Sequence, residues 1–393
     1  MRKKVALTGN EAVAYAMKQI NPDVVAAYPI TPQTAMMEKF AEYVADGEVD
    51  TEFITSDSEH SAMSASIGAS ASGVRAMTAT SSNGLAYMWE VVYIAASLRL
   101  PIVMPVVNRA LSGPLNIHCD HSDTMGARDA GWIQLFSENS QEAYENTIQA
   151  IRIAEHKDVL LPVMVTLDGF IISHAMETVA PFTDDEVKNF IGTYKTKYSL
   201  LDSAKPVTFG PLDFFDYYFE HKRQQVEAIE NSRKIILDIG KEFKSICGKE
   251  YGYFDEYCME DAEYVTIALG STAGTLKCVV DKLRKKGIKA GLLKLRCFRP
   301  FPFSEIAQSL KRFKYIAVLD RSISFGAYGG PVFNEIRSAL LGVNPEHKLV
   351  NYIYGLGGRE IGLDLLESVY NDLIKISKTG KTEKVINYLG VRE

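Results

Sequence analysis

Along residues 1–170, short apolar runs alternate with longer segments of helical spacing. Val24–Tyr28 is a strand-like run that stops at Pro29. Gln33–Ala45 then places Met36, Met37, Phe40, Tyr43 and Val44 at helical intervals. Glu52–Thr55 predicts a short strand. Ser58–Ala71 is built from Ala and Ser, small side chains that let a helix lie close to its neighbours. Val74–Thr80 alternates and predicts a strand, followed by a loop at Ser81–Gly84 and a helix over Leu85–Leu98. Pro101–Val107 and Leu160–Leu167 are continuous apolar runs, the pattern of buried strands. Thr8 and Glu11 have the spacing of a capping box for a helix through Ala16 and Ile20. Strands that alternate with helices in this way predict βαβ units around a parallel sheet.

The second half repeats the pattern. Tyr264–Leu269 predicts a strand, and Gly270-Ser271-Thr272 opens a helix. That helix stops at Lys286-Gly287, with cations in its last turn and Gly as terminator. Ile288–Leu295, Tyr315–Leu319 and Leu349–Tyr354 predict further strands. The expected fold is α/β, with a parallel-sheet domain over residues 1–200 and a smaller α/β domain over 261–393. Residues 201–260 lose the alternation and form a connector. It holds Phe214, Phe215, Tyr217, Tyr218 and Phe219, then a helical stretch over His221–Phe243, then Tyr251-Gly252-Tyr253-Phe254. Such an aromatic segment is not a floppy linker. It packs either on its own two domains or on another subunit.

Composition narrows the function. The chain is 47% hydrophobic and 23% charged, as ordinary globular proteins are. Its net charge is −6, so there is no basic excess of the kind a nucleic-acid binder carries. The acidity is local: residues 211–263 hold 13 acids and 7 bases, and the rest of the chain balances. The apolar stretch at the N-terminus ends at Leu7, too soon for an export signal. The longest mainly apolar runs, such as Val159–Leu167, fall well short of the ~20 residues of a membrane span. A cytoplasmic protein is expected. The 5 cysteines contain no Cys-x-x-Cys pair, so neither a disulfide scaffold nor a chain-borne iron–sulfur cluster is expected.

Familiar nucleotide signatures are missing, and Gly355-Leu356-Gly357-Gly358 is only a loop signal. His118-Cys119-Asp120-His121-Ser122-Asp123 is the densest run of metal-ligand types. In a strand, His118 and Asp120 would share one face and Cys119 and His121 the other, so a polar loop is preferred to a metal site. Two segments are more pointed. Ala27-Tyr28-Pro29-Ile30-Thr31-Pro32-Gln33-Thr34 joins a strand to a helix at the ligand end of an α/β sheet. Its prolines predict an extended backbone. Thr31, Thr34 and the helix start offer donors for an anion, or plain turn chemistry. In Thr55-Ser56-Asp57-Ser58-Glu59-His60, Glu59 opens a helix of small residues. It is either a dipole partner or a carboxylate in a close-packed interface, able to share a proton with a ligand nitrogen. Arg109 follows a buried strand at its ligand end, as an anion-binding or a surface residue.

Tyr28-Pro-Ile-Thr-Pro-Gln-Thr34 followed by Ser58-Glu-His-Ser-Ala62 resembles the alpha subunits of the 2-oxoacid:ferredoxin oxidoreductase family, which use thiamine diphosphate. Gly68-Ala-Ser70, Thr78-Ala-Thr-Ser81, Leu100-Pro-Ile-Val103, Gly131-Trp-Ile-Gln134, Leu167-Asp-Gly-Phe170 and Phe298-Arg-Pro-Phe-Pro302 extend the resemblance over nearly the whole chain. Asn108-Arg-Ala-Leu-Ser112 points most towards the pyruvate member; members for 2-oxoisovalerate or 2-oxoglutarate share much of the pattern. The resemblance implies a pyrimidine-binding thiamine-diphosphate domain and a transketolase C-terminal-like domain. It implies that Glu59 bonds the aminopyrimidine ring, with Pro29 and Ile30 also on the cofactor. Thr31 would contact substrate, and Arg109 would hold the oxoacid carboxylate. It also implies beta, gamma and delta partner subunits. Magnesium and [4Fe-4S] clusters would lie in those partners, with coenzyme A, pyruvate and ferredoxin as reactants. A non-catalytic scaffold of the same fold is the competing reading.

Overall fold

The Thr8 side chain accepts from the Glu11 N–H (3.2 Å) and Glu11 accepts from the Thr8 N–H (2.8 Å), closing the expected capping box. It joins strand β1 (Val5–Thr8) to helix α1 (Gly9–Ile20) in the computed structural model, which describes residues 2–392. The chain continues through β2 (Val24–Ala27), α2 (Thr34–Ala45), β3 (Glu52–Thr55), α3 (Glu59–Ala71), β4 (Ala76–Met77), α4 (Ser82–Tyr87), α5 (Trp89–Ser97) and β5 (Val103–Asn108). Then come α6 (Ser122–Gly126), β6 (Ile133–Phe136), α7 (Ser140–Glu155), β7 (Val163–Asp168), β8 (Met176–Val179), α8 (Asp184–Ile191) and α9 (Tyr218–Cys247). The last part holds β9 (Phe254–Tyr257), β10 (Tyr264–Ala268), α10 (Thr272–Lys285), β11 (Ala290–Leu295), β12 (Cys297–Arg299), α11 (Phe303–Leu310), β13 (Tyr315–Asp320), α12 (Pro331–Ala339), β14 (Lys348–Tyr354), α13 (Leu363–Thr379) and β15 (Ile386–Leu389).

A seven-stranded sheet runs β12-β6-β7-β5-β4-β2-β3, parallel except for β12. A six-stranded sheet runs β15-β14-β13-β10-β11-β9, parallel except for β9. β1 pairs with β8 in a small separate sheet. The fold is thus mixed α/β with parallel sheets. Met36, Phe40, Val25 and Val103 lie in the core of the first sheet, and Ile267, Leu293, Val318 and Ile336 in that of the second.

Several elements depart from their sequence pattern. The Val74–Thr80 alternation yields only the two-residue β4. The expected loop at Ser81–Gly84 is instead the start of α4, because a buried carboxylate, Asp123, accepts the Ser82 N–H (3.0 Å). The expected extended backbone at Thr31 and Pro32 is a turn. The N–H groups of Gln33 and Thr34 both donate to the Ile30 carbonyl (2.8 and 3.1 Å), and Gln33 Nε2 is anchored on the Ala79 carbonyl (3.1 Å). Cys297–Arg299 leaves the second sheet and pairs with Ile133–Phe136 in the first. Phe254–Tyr257, at the end of the expected connector, is an edge strand of the second sheet.

The connector divides. Tyr251 and Tyr253 are buried, and α9 buries Ala228, Ile236, Ile239 and Phe243 in the first core. The aromatic run before α9 is exposed, with Phe215 at 100%. No helix among the described residues is long and apolar enough to cross a membrane.

Candidate active site

The seven-stranded sheet brings the carboxyl ends of β3, β2, β4 and β5 side by side. The chain leaves β2 towards β3 on one side, and leaves β4 towards β5 on the other. That reversal opens the crevice in which α/β proteins hold ligands. Thr31 follows β2, Glu59 follows β3, Thr80–Gly84 follows β4 and Arg109 follows β5.

Glu59 is the first residue of α3, after the Ser58 cap, whose side chain accepts the Ser61 N–H (3.1 Å). It is buried, at 8% exposure, and its carboxylate has no hydrogen-bond partner among the described residues. Thr80 Oγ1 is buried and also unpartnered. Gly84 lets them converge: a Cβ there would lie 2.5 Å from Thr80 Oγ1 and 2.8 Å from Glu59 Oε1. Leaving a buried polar group without a partner costs about 1–3 kcal/mol, so this corner is built for a polar ligand edge.

Arg109 is brought onto Thr31. Its Nη1 donates to the Thr31 carbonyl (2.9 Å) and its Nε to the Asn116 carbonyl (3.0 Å). Nη2 has no partner among the described residues, so both its N–H donors remain for an anion. Burial pulls the Arg109 pKa down, against the attraction of Asp123. Thr31 itself is exposed, as is Pro29, while Ile30 is half-buried.

Two carboxylates organise this region: Asp123 from the run of metal-ligand types and Asp168 from Leu167-Asp-Gly-Phe170, neither of which the sequence patterns gave a site role. Asp123 is fully buried and accepts from the N–H groups of Arg109 (3.0 Å), Ser82 (3.0 Å) and Thr124 (2.7 Å), and from Asn108 Nδ2 (2.9 Å). It ties the Glu59 corner to the Arg109 corner. Burial pushes its pKa up to about 6, against those hydrogen bonds. Asp168, at the end of β7, accepts from Ser271 N (3.1 Å) and Oγ (2.5 Å) and from Arg321 Nη1 (3.1 Å). It also pairs with His121 Nε2 (2.8 Å). Burial alone would raise its pKa, but His121, Arg321 and Ser271 outweigh it and hold the carboxyl well below the usual range. Cys119, His121 and Asp168 lie within reach of one another. Burial pushes the Cys119 thiol up, and the Asp168 oxygens hold three partners, of which Ser271 and Arg321 belong to the second domain, so Asp168 acts as an interdomain clasp. The signal for both aspartates was a charged residue at or just beyond an apolar strand or loop, which periodicity alone does not rank.

A family model for pyruvate flavodoxin/ferredoxin oxidoreductase, thiamine diphosphate-binding, matches residues 15–241. The chain belongs to this family. The model of the pyruvate:ferredoxin oxidoreductase core domain II matches residues 262–366. Pyruvate synthase subunit PorA of Thermotoga maritima is 58% identical over 391 residues, covering 100% of this chain and 99% of the relative. Its namesake in Methanocaldococcus jannaschii is 48% identical, covering 94% of each. Ketoisovalerate oxidoreductase subunit VorA of Pyrococcus abyssi is 42% identical, covering 98% of this chain and 97% of the relative. Among solved structures, 2-oxoglutarate:ferredoxin oxidoreductase from Magnetococcus marinus superposes with a TM-score of 0.74 at 18% identity, over 95% of this chain and 66% of that chain. A split-gene transketolase does so at 0.56 and 12%, over 94% and 99%. These two show the oxidoreductase and transketolase-like fold. In the family's terms, the Glu59, Thr31 and Arg109 corners all lie within the thiamine diphosphate-binding match.

Proposed function

We propose that this chain is the alpha subunit of a multi-subunit enzyme that oxidatively decarboxylates pyruvate. Pyruvate and coenzyme A give acetyl-CoA, carbon dioxide and a proton, and two electrons pass to ferredoxin; the reaction runs in either direction. The observation that carries this reading is the Glu59 carboxylate, buried and unpartnered beside Thr80 and Gly84. That corner has the donor chemistry an aminopyrimidine edge needs. Glu59 would share a proton with the ring nitrogen, with Pro29 and Ile30 flanking the cofactor. When bound, thiamine diphosphate supplies the nucleophilic carbon and the electron sink for decarboxylation. The free Nη2 of Arg109 would hold the oxoacid carboxylate, which a guanidinium fork matches. The Thr31 hydroxyl would orient the same substrate.

The beta, gamma and delta subunits would supply magnesium and the iron–sulfur clusters, in the cytoplasm. The division into residues 1–200, 201–260 and 261–393 would then be functional, as catalytic half, connector and supporting domain, with docking confined to the exposed start of the connector. The exposed run Leu212, Phe214, Phe215, Tyr217, Tyr218 and Phe219, with its acidic neighbours, would dock another subunit.

Turnover of an oxoacid panel by the assembled complex tests the reading. Pyruvate is the best substrate; faster turnover of 2-oxoisovalerate would assign the chain to the branched-chain activity. Glu59→Gln in the same complex lowers turnover by roughly 10²–10⁴, the scale of a lost proton-transfer group. Full activity of that variant removes Glu59 from the mechanism.

A further inference from the structure

The Gly355-Leu-Gly-Gly358 turn belongs to the second domain but ends against the Arg109 loop of the first. Gly357 and Gly358 have φ of +57° and +76°, conformations that L side chains rarely adopt. Gly357 N–H donates to Asp120 Oδ2 (3.2 Å), and Gly358 N–H to the Cys119 carbonyl (2.7 Å). Asn116 Nδ2 donates to the Gly357 carbonyl (3.1 Å). The approach leaves no room for a side chain: a Cβ at Gly357 would lie 2.5 Å from Asn116 Nδ2, and one at Gly358 2.3 Å from His118 Cβ.

The gripped segment, residues 116–120, is the one that orients Arg109. The Asn116 carbonyl accepts Arg109 Nε (3.0 Å), and the His118 carbonyl accepts the Ala110 N–H (3.0 Å). The guanidinium therefore has one anchor inside the first domain, the Thr31 carbonyl, and one whose position the second domain fixes. Ala110, Ser112, Asn116, Leu356 and Gly357 line one cleft of about 720 Å³ between the domains.

We propose that the Gly355–Gly358 turn is a positioning element for Arg109: by fixing Asn116, it sets where the guanidinium meets the oxoacid carboxylate. The inference rests on the carboxylate-binding role given to Arg109 above. An arginine side chain has several rotatable bonds, and a guanidinium held at Nε and Nη1 loses less freedom when substrate arrives. An anchor shifted by a fraction of an ångström weakens that contact before and during reaction alike, which raises KM and spares kcat.

Gly357→Ala, Asn116→Ala, the double variant and Arg109→Met are compared in the assembled complex, with KM and kcat for pyruvate as readouts. Gly357→Ala and Asn116→Ala each raise KM about tenfold with kcat within about twofold. The double variant resembles the worse single, because both changes act on one contact. Unchanged KM in both single variants, or a double variant whose KM rise is the product of the two, overturns the inference. If Gly357→Ala fails to assemble, Asn116→Ala decides it, since that change removes the two side-chain bonds of Asn116, to the Gly357 carbonyl and from the His118 N–H, and leaves the turn's own bonds to Asp120 and Cys119 in place. Arg109→Met separates the two layers. If it raises KM while the turn variants do not, the positioning role fails and the carboxylate role stands. If it leaves KM unchanged, the carboxylate role fails and the inference falls with it.

Discussion

Single residues in this chain act through what they leave unmade. Glu59 and Thr80 keep polar atoms without partners among the described residues in a buried corner, and Gly84 lets the two converge. Gly84→Ala puts a methyl into both. Overpacking of this kind costs about 1–3 kcal/mol, which at the corner proposed for the cofactor converts to a roughly 10–100-fold loss of affinity. Thiamine diphosphate titrated into the apo-complex is expected to bind that much more weakly, with KM for pyruvate little changed. Asp168 shows the opposite economy, since every partner it has is made. Asp168→Asn leaves Arg321 buried beside a neutral amide, and breaking a buried pair costs about 3–5 kcal/mol. Denaturant unfolding should show that loss at neutral pH. The pKa of Asp168 is depressed in the folded state, so its stabilisation is present above about pH 4, the unfolded carboxyl value. It is lost as the pH falls from there through the lower folded value. The gap between wild type and Asp168→Asn therefore narrows in acid.

At the scale of elements, α7 buries polar side chains that composition alone would leave at the surface. Ser140–Glu155 is rich in polar residues, yet Glu142, Glu145, Asn146 and Gln149 are buried. The helix packs on α1 and β7, and part of its polar face meets the side chains of Lys294 and Arg296 from the second half of the chain. Lys294 on β11, 1% exposed, bonds Glu142 (2.6 Å) and lies 3.0 Å from Glu138. Arg296 bonds Asn146 (2.8 Å) and Gln149 (3.1 Å). Burial alone would lower the Lys294 pKa, but Glu142, Glu138 and Asp255 outweigh it and keep the ammonium charged. Where pattern and environment agreed, prediction was close: β3 spans the expected Glu52–Thr55, and α1 carries the expected capping box. It failed at Ser81–Gly84, whose helical start depends on Asp123, a residue from another part of the chain.

At the scale of the molecule, the second domain reaches into the first through Asp168, Asn116 and β12. The aromatic run Phe214–Phe219, at the start of α9, turns most of its area to solvent. Phe215→Ser with Phe219→Ser is expected to leave the unfolding midpoint of the isolated chain almost unchanged, within about 0.5 kcal/mol. The same pair should weaken assembly with the partner chains, read by size-exclusion or sedimentation of the reconstituted complex. Normal assembly would remove this segment from the interface.

The sequence alone determined the strand–helix alternation, the Pro-Ile-Thr-Pro and Ser-Glu-His segments and the family they belong to. These are local signals: hydrophobic period, capping spacing and short motifs are written in neighbouring residues. Only the tertiary structure decided that Arg109 rests on Thr31, that Asp123 and Asp168 organise the site, and that a glycine turn from the far domain supports it. Those contacts join residues far apart in the chain, and the desolvation that gives them their strength exists only once both sheets have closed around them.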